Sequence, residues 1–101
     1  MEFSDRFSLA STYGQLGNVA VELREYEQAK QYYQQALDIW IEFGDRYSQA
    51  RTYGQLGLLA EAQENYAEAR VNLQTALEIF LEYQDDYWAG VAREILERLP
   101  D

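Results

Sequence analysis

Thr12-Tyr13-Gly14-Gln15-Leu16-Gly17 returns unchanged as Thr52-Tyr53-Gly54-Gln55-Leu56-Gly57, a spacing of 40 residues. Carried outward at that offset, the comparison pairs Asp5-Arg6 with Asp45-Arg46, Ala20 with Ala60, Tyr26 with Tyr66, Ala29 with Ala69 and Ala36-Leu37 with Ala76-Leu77. About half of the positions from Glu2 to Trp40 are identical to their counterparts. Within each copy, Tyr13, Leu16, Gly17 and Ala20 fall at the spacing of one helix face. A duplication of this length, made of two helix-period segments, marks a stacked helical array in which each unit buries its apolar face against its neighbours.

The pattern predicts an all-α chain of five helices, at about 5–23, 26–43, 45–63, 66–83 and 86–99. This makes one domain over 1–101: a first repeat of about 5–43, a second of about 45–83, and a shorter capping helix. Ser4 or Asp5 is placed to cap the first helix. Gly44 is placed to end the second in the left-handed conformation, and Asn65 with Glu68 to make a capping pair at the start of the fourth. Ala29, Tyr33, Ala36, Leu37, Trp40 and Phe43 form one stripe, and Ala69, Leu73, Ala76, Leu77, Phe80 and Tyr83 its counterpart. Alanines facing rings and leucines at helical spacing read as core. Glycines inside a helix cost about 0.5 to 1 kcal/mol each relative to alanine. Gly14 and Gly54 therefore either ease helix packing or let a ligand come close. Residues 1–8 align with the helix junction at 41–48, so the amino end reads as the tail of a helix in a longer array.

Composition narrows the function. There is no cysteine and no histidine, which removes the usual thiol nucleophile, general base and zinc ligands. The carboxylates gather at helix turns, as in Glu22, Glu25 and Glu27, without a calcium loop or an acid–base pair. Gly14-Gln15-Leu16-Gly17 lies mid-helix and is no phosphate loop. The expectation is no enzyme, no cofactor and no metal. With 18 acidic against 8 basic residues and a net charge of −10, the chain repels nucleic acid and anionic membranes. Any protein or peptide partner is expected to be neutral or basic. No signal peptide and no long apolar run is visible, which argues for a cytoplasmic protein.

Tyr13, Leu16-Gly17, Ala20, Ala29, Tyr33 and Ala36, and again Tyr53, Leu56-Gly57, Ala60, Ala69, Leu73 and Ala76, resemble the pattern of the tetratricopeptide repeat family. Tyrosine stands where that family favours tryptophan, the proline closing each pair is missing, and the period exceeds the usual 34 residues. Longer repeats of this kind are similar to those of kinesin light chain and of bacterial signalling and scaffold arrays, and imply lengthened second helices. The resemblance implies a right-handed superhelical stack whose first helices line a concave groove for a peptide or partner helix. It places Ser11, Gly14, Gln15, Asn18, Val21 and Glu22 in that groove, followed by Arg51, Gly54, Gln55, Leu58 and Glu61. Of the cationic and amide side chains that clamp a terminal carboxylate in some family members, only Asn18 and Arg51 have counterparts here.

The last segment departs from the repeat. Arg93, Glu97 and Pro100 replace Tyr53, Gly57 and Ala60, so it reads as a capping helix at the carboxyl end, while Trp88, Val91 and Ile95 replace Ser48, Arg51 and Gln55. Two classes of function follow: an interaction module that binds a peptide or helix in its groove, or a self-assembling structural unit. The second expects a homodimer through Phe3, Phe7 and Leu9 at one end and Trp88, Val91 and Ile95 at the other. The competing account folds the cap inward onto the third helix.

Overall fold

The chain turns every 20 residues. Arg24, Gly44, Glu64 and Gln84 all take a positive φ, between 57 and 69°, and each sits in the same pair of backbone bonds. Arg24 N donates to Val21 O and Glu25 N to Ala20 O; Gly44 N donates to Ile41 O and Asp45 N to Trp40 O. Glu64 and Gln84 repeat the arrangement. The crossed pair closes the last carbonyls of one helix and releases the chain into the next. The residue after each left-handed position, Glu25, Asp45, Asn65 or Asp85, then serves as N-cap. Asp45, Asn65 and Asp85 accept a backbone N–H from Ser48, Glu68 and Trp88, whereas Glu25 makes no such bond.

A computed structural model describes residues 3–100, excepting the side chains of Phe3 and Ser4. It shows helices α1 (Phe3–Glu22), α2 (Tyr26–Phe43), α3 (Arg46–Ala62), α4 (Tyr66–Glu82) and α5 (Asp86–Arg98), and no strand among the described residues. The expected boundaries hold to within one or two residues, with one correction. α1 begins at Phe3, so Ser4 and Asp5 lie inside it and do not cap it. α3 and α4 are each 17 residues long, so the second helix alone does not carry the extra length of the repeat.

Each helix packs on its neighbour in sequence. The array measures 44 × 33 × 18 Å, two helices thick. The first helices, α1, α3 and α5, form one layer, and α2 and α4 the other. Between them lie Ala29, Tyr33 and Leu37 against Leu56 and Leu59, and Ala50, Ala76, Ile79 and Phe80 against Ala89. Alanines Ala10, Ala29, Ala50, Ala69, Ala76 and Ala89 have no exposed surface at all, because only a methyl group fits where the helices approach most closely. Ion pairs recur at the repeat offset: Arg6 with Glu42 at 2.6 Å and Arg46 with Glu82 at 3.0 Å.

Candidate functional site

Side chains of α1, α3 and α5 line a face with two adjoining depressions. One, of about 220 Å³, is polar: Ser11, Gly14, Gln15 and Asn18 of α1 face Ser48, Arg51, Thr52 and Gln55 of α3 above Ala10 and Trp40. The other, of about 150 Å³, is apolar. There Arg51, Gly54, Gln55 and Leu58 face Trp88, Val91, Ala92 and Ile95 of α5 above Leu73, Ala76 and Phe80 of α4. Arg51 and Gln55 belong to both. A shallower recess beside them adds Val21 and Glu22. Every groove residue expected from sequence is thus gathered here except Glu61. That carboxylate is held by Arg98 through two bonds of 2.7 and 2.9 Å, and hydrogen bonding to the guanidinium keeps its pKa below the usual carboxylate value.

Asn18 is the most engaged polar residue of the face. Its Oδ1 accepts from the Tyr33 hydroxyl at 2.6 Å and from Gln55 Nε2 at 3.2 Å, which leaves its amide N–H groups to donate elsewhere. Burial pushes the Tyr33 hydroxyl up from its ordinary pKa, so it stays a donor at neutral pH. In the second repeat the corresponding pair is Leu58 and Leu73, both of which line the apolar depression. Arg51 makes no hydrogen bond or ion pair among the described residues. The face therefore offers amides, one guanidinium and an apolar pocket. Among the described residues no group of three His, Cys, Asp or Glu side chains is gathered that could hold a metal.

The glycines separate into two kinds. A Cβ on Gly17 would lie 2.4 Å from Tyr33 Cε1, and one on Gly57 2.6 Å from Leu73 Cγ. At Gly14 and Gly54 a Cβ would meet nothing within 4 Å. Helix packing therefore accounts for Gly17 and Gly57 and does not account for Gly14 and Gly54.

The expected self-association residues are placed differently from the expectation. Ile95 is buried against Ala60, Ala69, Leu73 and Leu99, and Val91 packs on the same cluster. Trp88 stacks on Phe80 with ring centroids 6.3 Å apart. The cap folds inward because these apolar side chains cover Leu73 and Phe80, so Ile95 is not available to a second copy. Phe7 packs edge-on against Trp40 and stacks with Phe43. Leu9 is half-buried beside Ala10 and Trp40, and the side chain of Phe3 lies outside the described residues. Sequence reasoning missed that Trp88, Val91 and Ile95 wall the apolar depression. The signal was present, since they occupy the slots of Ser48, Arg51 and Gln55, the lining positions of α3.

With two helical pairs stacked at a 40-residue offset and a lining drawn from the first helix of each, the comparison with known families is decisive: the tetratricopeptide repeat model matches residues 8–82. The chain belongs to the tetratricopeptide repeat family. Repeats of this family mediate protein–protein interaction and scaffolding and are non-catalytic. No curated protein matches the chain. Among the described residues, no helix is long and apolar enough to cross a membrane.

Proposed function

We propose that this tetratricopeptide repeat chain is an interaction module that holds a neutral or basic peptide or partner helix along the face of α1, α3 and α5. The observation that carries this reading is Gly54. It lines the apolar depression, nothing among the described residues lies within 4 Å of where its Cβ would be, and a mid-helix glycine without a packing reason costs stability relative to alanine. A close-approaching ligand backbone is the use such a position has. The two depressions then divide the labour. An apolar side chain of the ligand enters beside Trp88 and Leu58, while its backbone meets Gln15, Asn18 and Gln55. Net charge of −10 slows acidic ligands and favours basic ones, with an affinity that falls as salt rises.

The test uses displayed peptides, neutral, basic and acidic, selected on the 101-residue chain. Binding of the enriched sequences is then measured to wild type, Gly54→Leu and Trp88→Ala. Expected is enrichment of neutral or basic sequences with an apolar residue, and a loss of about tenfold or more in either variant, or about 1.4 kcal/mol. Gly54→Leu should remain folded, because its new side chain enters open space. Tighter binding of acidic peptides, or affinities that neither variant alters, would overturn the reading.

A further inference from the structure

The first repeat holds a polar chain of side chains where the second is apolar. The Tyr33 hydroxyl donates to Asn18 Oδ1 at 2.6 Å, and Gln55 Nε2 donates to the same oxygen at 3.2 Å. At the repeat offset Asn18 and Tyr33 give way to Leu58 and Leu73. Tyr33 is a core residue, 3% exposed and in one cluster with Ala29 and Leu37, while Asn18 is exposed and lines the polar depression. A single hydroxyl thus ties the interior of the first helical pair to its lining.

The tie sets the polarity of that lining. A carboxamide on its own can turn either its oxygen or its nitrogen to a neighbour. Tyr33 removes the choice, because its buried O–H has to donate and Asn18 Oδ1 is the acceptor it has among the described residues. Both N–H groups of Asn18 are therefore left for a ligand, and Gln55, having donated to Asn18, keeps its Oε1 as an acceptor. The depression offers a donor on α1 and an acceptor on α3. A main-chain peptide group carries the complementary pair, C=O and N–H. A terminal carboxylate has acceptors alone. Arg51 lines the same depression and can donate to either, but the acceptor on Gln55 and the net charge of −10 both disfavour the carboxylate.

We propose that Tyr33 is a positioning residue for the groove: by holding Asn18 Oδ1 it turns the Asn18 amide to the ligand, and the polar depression takes an internal main-chain peptide group, its carbonyl on Asn18 and its N–H on Gln55, and not a chain end. This rests on the peptide-binding reading above and names the group that the polar depression recognises. Between α3 and α5 Leu58 and Leu73 provide no such pair, so the ligand is gripped by its backbone on one side of Arg51 and by an apolar side chain on the other.

Side-chain amide NMR of the free 101-residue chain tests the positioning without any ligand. Expected are Asn18 Nδ2–H signals displaced from those of a free carboxamide in the wild type and returning towards them in Tyr33→Phe, which keeps the ring against Gly17 and removes only the hydroxyl. Identical Asn18 signals in the two proteins would refute it. Binding is then measured with a display-enriched peptide, acetylated and amidated at its ends, in a double-mutant cycle. Expected is a loss of about tenfold in Asn18→Ala, about fivefold in Tyr33→Phe, and no further loss in the double variant beyond that of Asn18→Ala. Losses that multiply would mean that Tyr33 acts through the core and not through Asn18, against the proposal. Truncated after its apolar residue, the same peptide should bind more tightly as the terminal amide than as the free carboxylate, and the reverse order would sink the main-chain assignment. Binding that Gly54→Leu abolishes but Asn18→Ala and Tyr33→Phe leave unchanged would reject this inference and keep the groove. Binding that none of these variants alters, or the enrichment of no peptide, would reject both.

Discussion

Gly14 and Gly17 stand three residues apart on one helix, as do Gly54 and Gly57 on another, and the four look interchangeable in the repeated hexapeptide. Their surroundings are opposite. Gly17 and Gly57 are pressed against Tyr33 and Leu73 so tightly that a single added carbon would overlap those side chains, while Gly14 and Gly54 face open space. Exact repetition of a residue thus has two causes in this chain. One pair is required by the contact between α1 and α2 and between α3 and α4. The other pair has no folding reason among the described contacts.

The comparison breaks first at Gly57. Gly57→Leu has to displace Leu73, the largest fully buried side chain, and α4 with it. We expect a loss of about 3 kcal/mol, at the upper end for overpacked cores, and a fall in Tm of more than about 10 °C for a domain of this size. Gly17→Ala should cost less, because the Tyr33 ring can swing away at the expense of its bond to Asn18. Unchanged melting of either variant would refute the packing assigned to this pair.

Gly44→Ala tests a third kind of glycine, one fixed by backbone conformation. Gly44 has φ of 69° and ψ of 24° with nothing near its Cβ position, so space is available and only the left-handed conformation is costly. The expected loss is about 1 kcal/mol, read as a lower denaturation midpoint with unchanged slope. Gly54→Ala should move the other way. Alanine in an open mid-helix site gains about 0.5 to 1 kcal/mol. Opposite signs for Gly54→Ala and Gly57→Ala, one helical turn apart, would be the sharpest form of the contrast. A destabilised Gly54→Ala would mean that something in the chain does fill that space.

The fold was legible because its information is periodic. The offset of 40 fixes the repeat, and within it the 4-and-3 spacing of Tyr13, Gly17 and Ala20 marks the side of α1 that meets α2, whereas Leu16, on the same predicted stripe, is 39% exposed. The lining expected on α1 and α3 came from the resemblance to the family. Three things did not follow. The left-handed turns at Arg24, Glu64 and Gln84 carry no glycine to announce them, although Gly44 shows where they must fall once the 20-residue period is seen. Asn18 and Tyr33 look like a lining residue and a core residue. Only their joint exchange for Leu58 and Leu73 marks them as partners. The inward docking of α5 depends on whether Trp88, Val91 and Ile95 find apolar cover at Leu73 and Phe80, which is a matter of tertiary shape that register alone leaves open.

The smallest effect bears on those silent turns. Gln84 holds a φ of 57° in the same hydrogen-bond frame that Gly44 occupies, with Gln84 N to Leu81 O at 3.0 Å and Asp85 N to Phe80 O at 2.9 Å. A residue with a Cβ meets the following carbonyl in this conformation and is strained by about 1 to 2 kcal/mol. Glycine relieves that strain but has more freedom to lose from the unfolded chain, which takes back about 0.4 to 1 kcal/mol. The two terms nearly cancel, so Gln84→Gly should stabilise by only about 0.5 kcal/mol, read as a small rise in denaturation midpoint at constant slope. The same change at Glu64, where Asn65 caps the next helix as Asp85 does here, should give the same increment if the backbone alone sets it. A loss at Gln84 beside a gain at Glu64 would show that the Gln84 side chain, and not the turn, contributes to the junction between α4 and α5.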